Sequence, residues 1–277
     1  DLFTQKVPYS GKGINVSCDA FAPQSEVILY ANVTHRGDPV QNKQVRFEVY
    51  SPNPIEGFPL YRVVETNESG IAMTMFKIPW PAENPEEVVF GIWVAQASVD
   101  IGEERVKDTL TFRVGWLLEI ISIVTIGEDL KPKTHFTKGT CVGVELHLRN
   151  IAMLPITANI VVVAFDAHGV PFDSITLNDL AVKPGETYIL AYCFLNISEQ
   201  AAVGDAFVVA TAYTLDPPLE IPEALANFVI VARPVRNVAV IDVTISSVDV
   251  VAGQVVDVVV TVANEGNETE TFSVNAY

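Results

Sequence analysis

Cysteine and basic residues are scarce in this chain, and no hydrophobic run is long enough to cross a membrane. Only three cysteines occur in 277 residues. Cys18, Cys141 and Cys193 stand far apart with no CxxC pair, which excludes a cysteine zinc site and a dense disulfide framework. Lysine and arginine number 17 against 34 aspartates and glutamates, a formal net charge of −17. A surface of that sign repels phosphate backbones and anionic headgroups, so nucleic acid is excluded as a partner. The longest apolar stretches, around Ile160–Phe165 and Val255–Val262, have the length of strands, far short of the roughly 20 residues of a spanning helix. If the protein works at a cell surface, its anchor lies outside this sequence or assembly holds it there.

Signals of chemistry are missing as well. Neither GxSxG nor HExxH occurs. Gly11-Lys12-Gly13 lacks the remaining glycines and the following helix of a phosphate loop. His35, His135, His147 and His168 are scattered without metal-ligand spacing and read as turn or surface residues. The sequence therefore reads as a protein that is not an enzyme and carries no catalytic or cofactor-binding residue. Carboxylates offer the one metal option: Asp166, Asp173 and Asp179 flank one turn, and Glu265, Glu268 and Glu270 flank another. Ca²⁺ needs six to eight oxygens, and no EF-hand spacing is present, so solvated surface acid is preferred over a loosely held Ca²⁺.

What is present is the pattern of an all-β protein. Hydrophobic residues make up 49% and charged residues only 18%, weighted to valine and isoleucine with Pro and Gly throughout. Val256, Val258, Val260 and Val262 alternate with Asp257, Val259, Thr261 and Ala263, the period-two signature of a strand with one buried face. The turn Asn264-Glu265-Gly266-Asn267 follows, and Phe272, Val274 and Ala276 then predict a strand paired back on the first.

Three units are expected. Asp1–Gly115 holds predicted strands at Glu26–Thr34, Gln44–Tyr50, Tyr61–Glu65, Ile71–Ile78, Val88–Val99 and Thr109–Val114, with Trp93 in the core and Pro79–Pro85 as a rigid loop. Trp116–Arg233 holds predicted strands at Leu118–Ile126, Cys141–Arg149, Thr157–Asp166, Ser174–Leu177, Thr187–Asn196, Ala206–Tyr213 and Phe228–Ala232. Pro234–Tyr277 is the third. Gly139, Val142, Val144, Leu146, Leu148 and Asn150 recur at identical spacing as Gly253, Val256, Val258, Val260, Val262 and Asn264, so the third unit repeats the second. Nothing in it matches Pro171–Arg233. The expectation is a half-sandwich, completed by further sequence or by another chain. Short junctions at Phe112–Leu118 and Val231–Val235 predict a semi-rigid rod.

Five sequons, at Asn15, Asn32, Asn67, Asn196 and Asn267, point to N-linked glycans and an extracellular setting. The first residues, Asp1-Leu2-Phe3, suit a mature product whose signal peptide has been removed. Cys18 lies in phase with Ile14 and Val16, which favours a buried free thiol over an intermolecular bridge.

Gly37-Asp38-Pro39-Val40, Val45-Arg46-Phe47-Glu48-Val49 and Thr66-Asn67-Glu68-Ser69-Gly70-Ile71-Ala72 resemble the turns and strands of bacterial and archaeal immunoglobulin-like surface domains, including the macroglobulin-type sandwich. Val240-Ile241-Asp242-Val243, Ala252–Val256 and Val260–Gly266 resemble the first half of a CARDB-type domain. These resemblances imply tandem immunoglobulin-like sandwiches, archaeal in style, used for adhesion or surface display and carrying no catalytic residues. In such sandwiches the second and fifth strands are often neighbours, so Cys141 and Cys193 form either a cross-strand disulfide or two unpaired thiols. The resulting expectation is a structural subunit of a cell-surface filament or S-layer-like lattice whose partners are copies of itself. The alternatives are an adhesin, with Pro79–Pro85 as its one candidate tip, and a spacer in a larger secreted protein.

Overall fold

The structure is a computed structural model that describes residues 1–275 apart from 186, 192 and 193, with backbone placement only for 187–191. Apart from one five-residue helix, its regular elements are strands.

The first domain runs β1 (Leu2–Thr4), β2 (Glu26–Asn32), β3 (Thr34–His35), β4 (Asp38–Pro39), β5 (Gln44–Tyr50), β6 (Leu60–Glu65), β7 (Ile71–Lys77), the helix α1 (Pro85–Val89), β8 (Gly91–Ile101) and β9 (Glu104–Val114). Sheet β1-β2-β7 faces sheet β6-β5-β8-β9. Alternation decides which side is buried: Val27, Leu29 and Ala31 of β2 point inward with Val45, Phe47 and Val49 of β5. Trp93 lies at the centre, fully buried, with ring centroids 5.0 Å from Phe58, 6.0 Å from Phe112 and 6.3 Å from Phe76. Its Nε1–H donates to the Val89 carbonyl at 2.8 Å, so the one polar atom it buries is satisfied. The turn before β7 needs Gly70, at φ 73°, because a Cβ there would lie 2.5 Å from the Val33 carbonyl oxygen.

The second domain runs β10 (Leu118–Ile126), β11 (His135–Thr137), β12 (Cys141–Asn150), β13 (Ile156–Phe165), β14 (Pro171–Val182), β15 (Thr187–Ala191), β16 (Leu195–Asn196), β17 (Gly204–Leu215) and β18 (Pro218–Val231). Sheet β10-β12-β15, with β16 also on β12, faces sheet β11-β18-β17-β13-β14. Val142, Val144, Leu146 and Leu148 from one side meet Ala158, Ile160, Val162, Val208, Ala210 and Ala212 from the other.

The third unit contributes β19 (Val238–Ile245) and β20 (Val258–Asn264), paired antiparallel.

Four expectations change. Val88 and Val89 are helical, because Pro85 starts a short helix after Asn84, whose φ is 43°. Cys18 is buried but does not share a phase with Ile14, which is 75% exposed, since Asn15 at φ 58° breaks the alternation between them, and Val16 is exposed as well. The strands expected at Ser174–Leu177 and Phe228–Ala232 are parts of β14 and of the 14-residue β18. Their solvent-facing polar residues, and Pro222 within β18, interrupt the pattern without ending the strand. Finally, β20 pairs with β19, and residues 271–275 form no strand; Ala276 lies outside the described residues.

Candidate functional site

The third unit copies one sheet of the second domain. Leu118 pairs with Asn150 across β10 and β12, and Val238 pairs with Asn264 across β19 and β20. Both ladders shift register at the same step, Ile120/Ser122 in one and Val240/Asp242 in the other, so each strand carries a bulge at the equivalent place.

The terminal asparagines repeat too. Asn150 Oδ1 accepts the Ala152 N–H at 2.8 Å and its Nδ2 donates to the Leu154 carbonyl at 2.8 Å. Asn264 Oδ1 accepts the Gly266 N–H at 3.0 Å and its Nδ2 donates to the Glu268 carbonyl at 2.7 Å. Asparagine closes the turn after the strand in both, two and four residues on.

What differs is the other layer. Asn150 is fully buried and its amide has one further partner, the Val182 carbonyl of β14 at 2.9 Å. Among the described residues, Asn264 has no such second acceptor. Val144 is buried completely, whereas its counterpart Val258 is 51% exposed and Val240, the counterpart of Ile120, is 60% exposed. The third unit is thus a valine-lined sheet with its inner face open.

The two junctions differ in kind. Between the first domains, Ala20, Ala22, Leu117, Ala152 and Ile156 form a small buried cluster. Asp19 Oδ1 accepts the N–H groups of Ala20 and Met153, each at 2.7 Å, pinning one domain to the other. Trp80 packs on Phe90 and Trp116 at centroid distances of 5.8 Å, and the Trp116 indole donates to Glu86 Oε1 at 3.0 Å. The Pro79–Pro85 loop is therefore part of the junction, not a free tip. Asp19→Ala orphans the Met153 amide, and a loss of about 1.4 kcal/mol corresponds to roughly tenfold faster exchange. Hydrogen exchange at Met153, compared with core amides of β13, checks this; an unchanged rate would mean that Asp19 is not the pin.

At the second junction the turn of the third unit grips the linker. Asn267 Nδ2 donates to the Arg233 carbonyl at 2.9 Å and its Oδ1 accepts the Val235 N–H at 2.6 Å. A Cβ on Gly266 would stand 2.1 Å from the Val235 carbonyl oxygen, so only glycine fits. Among the described residues, no hydrogen bond joins residues 235–275 to anything before Arg233.

The sequons fall at dissimilar places. Asn15 is exposed, and Asn32 lies half-buried on the outer face of β2; neither side-chain amide makes a hydrogen bond among the described residues. Asn67 Oδ1 accepts the Ser69 and Ile71 N–H groups, at 3.0 and 2.9 Å, shaping its turn. Asn196 Oδ1 accepts the Cys141 thiol at 3.0 Å across β12 and β16. Cys193 lies outside the described residues, and with it the pairing considered for Cys141. The buried Cys18 thiol contacts Thr4 Oγ1 at 2.7 Å, and burial pushes its pKa to about 11, which keeps it protonated at neutral pH.

Asp166 and Asp173 are occupied structurally. Asp166 accepts the N–H groups of His168, Val170 and Ala202, the last being the main cause that holds its carboxyl below the usual range. Asp173 Oδ2 accepts the Asn196 N–H at 2.7 Å. Among the described residues no three His, Cys, Asp or Glu side chains converge as a metal site.

No family model and no curated protein matches the chain. Several solved structures align with long stretches of it at low similarity. The wild-type C-terminal region of BspA aligns over 81% of this chain and 98% of its own length, at 10% identity and a TM-score of 0.43. Native E. coli α-2-macroglobulin aligns over 90% of this chain, at 12% identity and a TM-score of 0.30; this chain spans 18% of it. A DUF4785 family protein from Legionella pneumophila aligns over 82% of this chain at 9% identity and a TM-score of 0.29, and the chain spans about half of that protein, 55%. Similarity at this level carries no argument about family or role. The class is settled by the strands themselves: an all-β protein of immunoglobulin-like β-sandwiches. No helix is long and apolar enough to cross a membrane among the described residues.

Proposed function

We propose that this chain is a non-catalytic, extracellular structural protein, a subunit of a cell-surface filament or lattice built through β-strand contacts between copies. The observation that carries this reading is the third unit, which reproduces β10 and β12 down to the bulge yet leaves open the valine face that the second domain covers with β13, β17 and β18. An exposed apolar sheet face marks an interaction surface, which an opposing layer covers, and strand addition pairs the open edges of such a sheet. The pinned first junction supports a stiff arm presenting that face. N-linked glycans at the five sequons, the CARDB-like character of the third unit and an archaeal or bacterial surface setting belong to the same reading. So does the absence of a catalytic or cofactor role.

Electron microscopy of the full chain beside a version ending at Arg233 tests it. Filaments or sheets from the full chain only are expected. Discrete particles from both, with the β20 amides unprotected in hydrogen exchange, would overturn assembly through this unit and leave a spacer as the better description.

A further inference from the structure

A second exposed apolar face lies at the other end of the chain. In sheet β1-β2-β7, Phe3 pairs with Tyr30 and Tyr30 with Met73, one row across three strands; Ile28 and Met75 form the next row. These side chains point away from the core, opposite Val27, Leu29 and Ala31. The Phe3 and Tyr30 rings stack at 5.4 Å, and Met73 and Met75 are 45% and 49% exposed. Asn32 occupies the same face one step further along β2, about 7 Å from Tyr30. It begins the sequon Asn32-Val33-Thr34, Thr34 is exposed, and the Asn32 side-chain amide makes no hydrogen bond among the described residues.

We infer that Asn32 carries an N-linked glycan whose first sugars lie over the Tyr30–Met73 row and shield this face from solvent. The inference rests on the extracellular reading above. The donor is a lipid-phosphate-linked oligosaccharide. Its anomeric C–O bond to phosphate breaks, the lipid phosphate leaves with the electron pair, and the sugar carbon bonds Asn32 Nδ2, which loses one proton. The remaining N–H keeps the amide a donor. A pyranose ring has an apolar face of C–H groups that suits aromatic and thioether surfaces, and its hydroxyls turn to water. Three other sequons differ: Asn67 and Asn267 lie in turns whose hydrogen bonds use the side-chain amide, and Asn196 accepts the Cys141 thiol.

The three methionines supply the test, because Met153, 37% exposed, lies in the second domain as an internal control. The protein is secreted from a host that glycosylates sequons and compared with Asn32→Gln and with Thr34→Ala, which spares the asparagine. Peroxide oxidation is followed residue by residue by mass spectrometry. Met73 and Met75 are expected to oxidise about fivefold faster in both variants, in line with their exposure, with Met153 unchanged. Equal Met73 and Met75 rates in all three proteins overturn the inference, and so does a bare Asn32 beside occupied sequons elsewhere. A chain with no sugar at any sequon overturns the glycosylated extracellular reading along with it.

Discussion

Trp93→Ala is expected to destabilise the first domain by about 4 kcal/mol, at the upper end of what core truncations cost. Trp93 fills the space between Phe58, Phe76 and Phe112, and its ring meets Phe58 edge-on. Alanine leaves a cavity that three aromatic side chains, anchored on separate elements, cannot collapse to fill. The variant also orphans the Val89 carbonyl at the end of α1. In a domain of this size the loss corresponds to a drop in Tm of roughly 15–30 °C. Calorimetry of the full chain measures it, with the transition of the second domain as the reference. A drop below about 5 °C would show that this core repacks freely. Trp93→Phe separates the causes, because it keeps much of the packing and removes only the indole hydrogen bond, for about 1–2 kcal/mol.

Asn150→Ala is expected to cost the second domain about 3–4 kcal/mol, while Asn264→Ala costs less than about 1 kcal/mol in the dispersed chain. The two residues make the same turn. The difference is burial: loss of the Asn150 side chain strands the Val182 carbonyl and the Ala152 N–H in a dry core and frees the part-buried Leu154 carbonyl, whereas the Asn264 turn is open to water. Chemical denaturation of the two variants gives the comparison. Assembly then supplies a further check. If a neighbouring copy covers the third unit as the second domain covers β12, Asn264→Ala becomes as costly in the assembled state as Asn150→Ala is in the monomer. Equal, small effects for both variants would mean that the asparagine turn is decorative in both places.

Much of the architecture could be read from residue order. Alternation placed β5 and β10 with the boundaries observed, because a strand buried on one face carries its burial in a two-residue period. The spacing from Gly139 to Asn150, repeated from Gly253 to Asn264, identified the third unit as a copy of part of the second. Alternation failed where backbone conformation broke the period, as at Asn15, and where a proline opened a helix inside an apolar run, as at Pro85. It also understated β18, whose outward residues mix Glu220, Glu223 and Asn227 with Pro222 and Leu225 and whose neighbours are β17 and β11.

The sequence alone determined the all-β class and the repeat, since these follow from patterns local to each strand. Which strands pair was beyond it: Phe272 and Val274 alternate as well as β19 does, but hydrogen bonding to β20 goes to β19. Only the tertiary structure turned Trp80, Phe90 and Trp116 into a junction, gave Asp19 its partner 134 residues away, and set Asn32 beside Tyr30 and Met73 on one face. Those relations depend on register between distant segments, which side-chain periodicity within one strand does not encode.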